Sequence, residues 1–291
     1  MQSGSQLTWL DRNGKSLGAV GEAATYGMFN LSPDGKQIAV SRPDPTTNNV
    51  NIWLIECDRN LGSRFTFDPG LHLLPIWSPD GLRVAFTGPG KEGRDIYVKN
   101  ASGIGEETLL LHSAEDKWTK DWSKDGRYIA YGTSDDRLYA LPLFGDRKPF
   151  LIVQFPGQQN VPNFSYDGKW VAYDSNESGT WQIYVVSFPA AVQKQQISTN
   201  GGAQPRWRRD GKELYYLTLE GKMMAVNISV DTKIEPGIPH MLFDTGVAVD
   251  PENIQYSVTS DGQRFLVPKL RSETTTIPIT VVTNWTALLK K

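Results

Sequence analysis

Cysteine is nearly missing from this chain. Cys57 stands alone, which excludes an intrachain disulfide and any metal cage built from cysteine. Histidine is scarce as well: His72, His112 and His240 are the whole set, which leaves little for histidine-based zinc chemistry. Neither sign of charge dominates, with 30 Lys plus Arg against 32 Asp plus Glu and a net charge of -2. A nucleic-acid partner is therefore not expected, because its binders carry a basic excess. No uninterrupted apolar run approaches the roughly 18 residues of a membrane span. No secretory signal opens the sequence, and direct membrane insertion by this segment is not expected. A hydrophobic share of 39% with 21% charged residues still supplies a core and excludes a disordered chain.

What the chain holds in quantity is turn formers and aromatics: 27 Gly, 18 Pro, 9 Trp, 11 Tyr and 11 Phe among 291 residues. That combination predicts many short strands joined by tight turns. An Asp-Gly pair recurs at Asp34, Asp80, Asp125, Asp167, Asp210 and Asp261, at intervals of 46, 45, 42, 43 and 51 residues. These intervals lie close to the roughly 40 to 45 residues of a propeller blade. The neighbours of the pair recur with it. Three residues before the Asp stand Leu31, Trp77, Trp122, Phe164, Trp207 and Val258, and two before it Ser32, Ser78, Ser123, Ser165, Arg208 and Thr259. Four and five after it come an aliphatic or aromatic residue and then mostly Ala: Ile38-Ala39, Val84-Ala85, Ile129-Ala130, Val171-Ala172, Leu214-Tyr215 and Phe265-Leu266.

Each unit reads as a hairpin whose turn takes positive φ from Asp-Gly, followed by a second hairpin such as Ile52–Ile55 then Arg64–Phe67. Four strands per unit and six units predict an all-β fold, a six-bladed β-propeller of four-stranded antiparallel blades. The chain opens with an orphan hairpin, Leu7–Leu10 and Ser16–Val20, and ends with a last Asp-Gly hairpin followed by a strand over Ile277–Trp285. Strands from both termini are thus expected to close the last blade, with one strand too many to say which end supplies which. No linker divides residues 1–291, and a single domain is expected.

Ser32-Pro33-Asp34-Gly35-Lys36 and Trp77-Ser78-Pro79-Asp80-Gly81, each followed by an Ile-Trp or Ile-Tyr strand, resemble the TolB-like family of WD-repeat-like propellers. Blades three to six depart at the Pro, with Lys124, Tyr166, Arg209 and Ser260. More narrowly, Leu7–Lys15 and Trp207–Leu214 look like propeller regions of acidobacterial serine/threonine kinase-type proteins, although none of the kinase motifs is in this chain. The resemblance implies a noncatalytic binding, sensing or protein-interaction domain, in an extracytoplasmic or periplasmic setting, as the sensor part of a larger receptor-kinase-like protein. The alternative is a propeller hydrolase or lyase working at the central channel.

Three motifs have simpler readings. Gly14-Lys15-Ser16-Leu17-Gly18 matches a nucleophile elbow, but no helix follows it and a hairpin turn fits better. Asp174–Gly179 resembles half of a calcium loop but has Val185 where the bidentate carboxylate belongs, and it reads as a connecting turn. Arg206, Arg208 and Arg209 make too short a basic cluster for nucleic acid. No cofactor or metal is expected. Four residues before each repeated Asp, a column borders the channel: Asn30, Ile76, Asp121, Asn163, Arg206 and Ser257. It is polar in five of six blades, whereas core columns are apolar. The preceding loops add His72, Lys117, Lys120, Asn160, Gln204, Asn253 and Gln255. A ring of converging polar groups is what a pocket for a small polar ligand or a peptide or protein partner needs. The site is therefore placed at the channel mouth, with Asp121 and Arg206 as opposite clamps.

Overall fold

In the computed structural model, residues 4–44, 46–47, 49–230 and 233–270 are described. The chain starts with a hairpin of β1 (Ser5–Asp11) and β2 (Ser16–Ala24). Blade one follows as β3 (Phe29–Leu31), β4 (Gln37–Pro43), β5 (Val50–Glu56) and β6 (Leu61–Arg64). Blade two is β7 (Leu73–Trp77), β8 (Arg83–Pro89), β9 (Arg94–Asn100) and β10 (Thr108–Leu111). Blade three is β11 (Lys117–Trp122), β12 (Tyr128–Thr133), β13 (Leu138–Pro142) and β14 (Phe150–Leu151). Blade four is β15 (Gln159–Phe164), β16 (Trp170–Ser175), β17 (Gln182–Ser187) and β18 (Lys194–Gln196). In blade five, β19 (Ala203–Trp207), β20 (Glu213–Leu217) and the long β21 (Lys222–Val230) precede two short outer strands, β22 (Ile234–Pro236) and β23 (His240–Asp244). These two divide the outer edge of β21 between them. Blade six has β24 (Ser257–Val258) and β25 (Arg264–Leu270) as its inner strands, with β1 and β2 outside them.

The sheets are antiparallel, and the described residues contain no helix. Closure is therefore settled: the carboxyl-terminal hairpin supplies the inner half of blade six and the amino-terminal hairpin the outer half. Those four strands fill the blade. The expected strand over Ile277–Trp285 lies outside the described residues.

The repeated turn works differently from the sequence expectation. Only the Gly has positive φ, +74° at Gly35 and +72° at Gly81. The Ser32 carbonyl accepts the Gly35 N–H at 2.8 Å, a four-residue turn in which Pro33 occupies the position that favours proline. The Asp acts through its side chain instead. Ser32 Oγ donates to Asp34 Oδ1 at 2.6 Å and accepts the Gln37 N–H at 2.9 Å, while Asp34 Oδ1 accepts the Lys36 N–H at 3.0 Å. The same hydroxyl–carboxylate pair recurs at Ser78/Asp80, Ser123/Asp125, Ser165/Asp167 and Thr259/Asp261. In blade five Arg208 takes the hydroxyl's place, donating to both oxygens of Asp210.

Among the described residues the buried apolar side chains fall into six clusters, one at each junction between neighbouring blades. Trp77 wedges against blade one with Ala39, Ile52 and Phe65. Trp122 and Trp207 do the same against blades two and four. All three are buried, at 5%, 1% and 8% exposure. The small Ala column lets the second strands lie close to the next blade.

The wedge position gives a direct prediction. Trp122→Ala should lower unfolding free energy by about 3 to 5 kcal/mol in denaturant titrations, the usual cost of deleting a large buried aromatic. Deleting residues 1–24 removes β1 and β2 and bares the edge of β25. Light scattering should then show aggregation, as expected of an uncovered strand edge.

Candidate functional site

The inner strands β7, β11, β15 and β19 carry a register shift against their partners, and β3 carries none. In blade two, Leu73 and Ile76 are three residues apart while their partners Thr87 and Ala85 are two apart. That is a bulge of one residue, which reverses the alternation of side chains beyond it. In three of these bulges a non-glycine residue adopts left-handed backbone, Leu74 (φ 56°), Val161 (φ 36°) and Gln204 (φ 60°), each directly before a proline. Such positions cost on the order of 1 to 3 kcal/mol each.

The bulge sorts the sequence-predicted residues into three places. Residues eight before the repeated Asp turn away from the channel into the blade junctions. His72 is 1% exposed, lies against Phe86 at 5.8 Å between ring centroids, and its imidazole is held below its usual range by burial. Lys117 is 2% exposed, with Nζ donating to the Glu115 carbonyl at 2.7 Å, the Ser113 carbonyl at 3.1 Å and Asp95 Oδ1 at 3.3 Å. Neither rings the channel mouth, contrary to the expectation. Their burial identifies them as junction groups.

A second set gathers at the mouth next to the connecting loops, here the loop mouth. Lys120 Nζ donates to Asn160 Oδ1 at 2.7 Å and to the Glu252 carbonyl at 3.5 Å. Gln204 Nε2 donates to the Asp250 carbonyl and to Gln255 Oε1, both at 2.9 Å, and Gln204 Oε1 accepts the Gln255 N–H at 2.7 Å. Asn253 joins the same wall. Lys120, Asn160, Gln204, Asn253 and Gln255 are thus brought together at this mouth. Two hollows meet there. An apolar one of about 560 Å³ is lined by Tyr26, Met28, Phe29, Leu73, Val247 and Ile254, among others. A more polar one of about 370 Å³ lies between Trp118 and Trp181. They share Met28, Leu74 and Asn253.

The third set, Asp121, Asn163 and Arg206, lines the opposite mouth, among the Asp-Gly turns, in a hollow of about 540 Å³. The sequence reading put both sets at one mouth; they are at two. The polarity of this column has a structural cause besides any ligand. Asn30 Oδ1 accepts the Trp77 N–H at 3.3 Å, Asp121 Oδ2 the Phe164 N–H at 2.8 Å, and Asn163 Oδ1 the Trp207 N–H at 2.9 Å. Each side chain latches the inner strand of the following blade. Asp121 also takes Asn163 Nδ2 at 3.0 Å and Lys124 Nζ at 3.3 Å, so its charge is matched.

A second row of latches holds the bulges. Ser41 Oγ accepts the Leu74 N–H at 3.2 Å and Thr87 Oγ1 the Thr119 N–H at 3.0 Å. In blade four the equivalent acceptor is a carboxylate: Asp174 Oδ2 takes the Gln204 N–H at 2.7 Å, and Oδ1, wholly buried, has no hydrogen-bond partner. Sequence reasoning passed over Asp174 except as part of the calcium-loop pattern. Its alignment with Ser41 and Thr87, seven residues after each repeated Asp, is the signal that marks it. Asn176–Gly179 forms the turn that the sequence reading assigns there. Burial pushes the Asp174 carboxyl up to about 7, and burial pushes the Lys120 ammonium down to about 8. Cys57 is likewise pushed up by burial, to about 11, which leaves the thiol unreactive at neutral pH. Among the described residues no three His, Cys, Asp or Glu side chains are placed to hold a metal ion.

A provisionally assigned TolB from Agrobacterium tumefaciens superposes with a TM-score of 0.70 at 17% identity, over 91% of this chain and 98% of that one. The chain has the fold of a TolB-type six-bladed propeller. TolB from Acinetobacter baumannii gives a TM-score of 0.60 at 16% identity over 92% of this chain, which spans 64% of that longer protein. A chain of a nidogen/laminin complex gives 0.59 at 10% identity, covering 77% of this chain and 89% of that one. In sequence, an uncharacterized protein of Agrobacterium fabrum strain C58 is 22% identical over 221 residues, 71% of this chain and 70% of that one. No protein-family model matches the chain. The likeness to TolB is one of fold, and the site has to be read from this chain's own residues.

The buried carboxylate sets a pH dependence. Folded Asp174 holds its proton up to about pH 7, whereas unfolded it releases it near pH 4, so folding takes up a proton in that window and stability falls as pH rises through it. Lys120 acts in the opposite sense. Its folded ammonium gives up its proton at about pH 8, well below its unfolded value near 10.4, so stability recovers above pH 8. Asp174→Asn should abolish the acid-side decline. Thermal melts at closely spaced pH should show the variant gaining on the wild type steadily from pH 4 to 7, and parallel curves would contradict the assignment.

Proposed function

We propose that this propeller is a noncatalytic interaction module that seats an extended segment of a partner protein across the loop mouth of its channel. The observation that carries the reading is the strain gathered there. Three non-glycine residues hold left-handed backbone at one mouth, although blade one builds its inner pair without a register shift. Closing the ring thus does not demand the bulges. What they do is bring Leu74 and Asn160 to the place where an apolar hollow meets a polar one, while Gln204, buried and hydrogen-bonded through both ends of its amide, braces the Asp250–Gln255 wall beside it. Apolar side chains of a bound segment fit the Met28–Phe29 side, and its main-chain carbonyls meet the side-chain amide of Asn160. Propellers of this fold occur in a complex of two proteins, nidogen and laminin, which fits the reading. The resemblance to TolB-like and kinase-associated propellers supports an extracytoplasmic setting and a sensing role within a longer polypeptide. A reading frame upstream of residue 1 that encodes a kinase domain and a membrane span would bear out that setting, and one that encodes neither would remove it.

The binding reading is tested by selecting peptides from a displayed random library against the whole chain, then measuring affinity for a variant. Met28→Lys puts a charge where the two hollows meet, at a half-buried position. Selected peptides should bind the variant at least tenfold more weakly, about 1.4 kcal/mol. Equal affinity for both proteins would move the interaction elsewhere on the molecule.

A further inference from the structure

Two buried cations line the hollow at the turn mouth, Arg206 at 7% exposure and Lys120 at 8%. Buried arginines are ordinarily matched by a carboxylate, often through two parallel hydrogen bonds. Arg206 has no such match among the described residues. Its one hydrogen bond there runs from Nη1 to the carbonyl of Pro205 at 2.9 Å, which leaves its Nε–Nη2 edge unengaged. Lys120 is held by an amide oxygen and a carbonyl, with no carboxylate of the described residues within ion-pair distance. The anions nearby do not supply the match: Asp250 and Glu252 act on Lys120 electrostatically without forming an ion pair with it. Asp121 is engaged by Lys124, Asn163 and the Phe164 N–H. Asp174 acts on both cations electrostatically, but it forms no ion pair with either and is committed to the Gln204 N–H.

Neutral donors face the same hollow. Asn30 gives its Oδ1 to Trp77 and keeps its Nδ2 group unengaged, and the Ser257 hydroxyl makes no hydrogen bond among the described residues. Arg206, Ser257 and Asn30 come from blades five, six and one, consecutive around the ring, with Lys120 reaching in from blade three. We propose that this mouth binds an oxyanion, the phosphate or carboxylate group of a small solute. The Nε–Nη2 fork of Arg206 would take two of its oxygens, with Lys120 as the second charge and Asn30 and Ser257 as neutral donors. The planar guanidinium fork matches both kinds of group, and the hollow of about 540 Å³ admits either. Lys120 lines the hollows at both mouths, but Arg206, Asn30 and Ser257 lie at the mouth opposite the proposed peptide-binding one, and the site does not depend on that reading.

The test uses the whole chain in a buffer of bulky sulfonate anions, with inorganic phosphate in one arm and succinate in the other, followed by calorimetric titration and thermal melts. At least one anion should bind saturably and raise the melting temperature, and the arm that responds identifies the group. Arg206→Gln should weaken that binding at least tenfold, and should raise the melting temperature without anion because an unmatched buried charge is gone. No binding by wild type to either anion up to about 10 mM, or undiminished binding by Arg206→Gln, overturns the proposal. Should that variant fail to fold, Lys120→Gln decides instead: weaker anion binding supports the site and equal binding overturns it. Library peptides that still bind when both anions fail would sink this site and leave the peptide mouth standing.

Discussion

Everything in this molecule depends on a seam between the two halves of the last blade. β1 runs antiparallel to β25 through seven consecutive pairs, from Ser5 opposite Leu270 to Asp11 opposite Arg264. No blade here can bury both of its faces by itself, and the six apolar clusters exist only because each blade has a neighbour on either side. Without the seam, two junctions would lose part of their walls. Leu7, Trp9 and Val20 belong to the cluster shared with blade one, and Leu10 to the cluster shared with blade five. An ionic clasp reinforces it. Arg12 donates to Glu213 Oε1 at 2.7 Å, to the Tyr215 hydroxyl at 2.9 Å and to the Gly262 carbonyl at 3.1 Å, joining the amino-terminal hairpin to blades five and six. Arg208 meets the same carboxylate from the other side at 2.8 Å, so the buried Glu213 has a full set of partners.

The architecture was legible because it is written six times. Each recurrence of Asp-Gly, with Ser, Thr or Arg two residues before the Asp, specifies a turn through contacts within six residues of chain, and each wedge residue fills a junction that looks like the others. Features that occur once, or that arise between blades, were not legible in the same way. The split outer edge of blade five could not be read, because β22 and β23 are short and of mixed polarity. The inner-strand bulges were hidden for a different reason. A leucine, valine or glutamine before proline gives no sign that it will take positive φ, so counting by twos carried His72 and Lys117 to the channel when one extra residue turns them into the junctions. Five of the ten predicted site residues meet at the loop mouth: Lys120, Asn160 and Gln204 lie at the bulges themselves, and Asn253 and Gln255 in the loop before β24.

Polarity in the channel also had two causes that a sequence does not separate. Asn30, Asp121 and Asn163 are polar because a backbone N–H of the next blade needs an acceptor. Arg206 has no such duty. Asp174 has one, but a hydroxyl does the same task in blades one and two, so a titratable carboxyl is more than the latch requires. The departures from the repeat, rather than the repeat itself, are therefore where the chemistry of this protein concentrates.

The latches divide the inner wall into two kinds of position with different prospects for change. Where a side chain holds the following blade, as at Asn30, Asp121 and Asn163, a replacement must still offer an acceptor at the same spot, so variation there is restricted to a few short polar residues. Ser257 and Arg206 occupy the same column and latch no N–H of the following blade, whereas Ile76 packs in the apolar junction of blades two and three. The first two positions can exchange their side chains without removing a latch. A designer seeking to alter what this channel recognises, while keeping the ring rigid, has an addressable pair of sites in blades five and six on a wall whose other members are already committed.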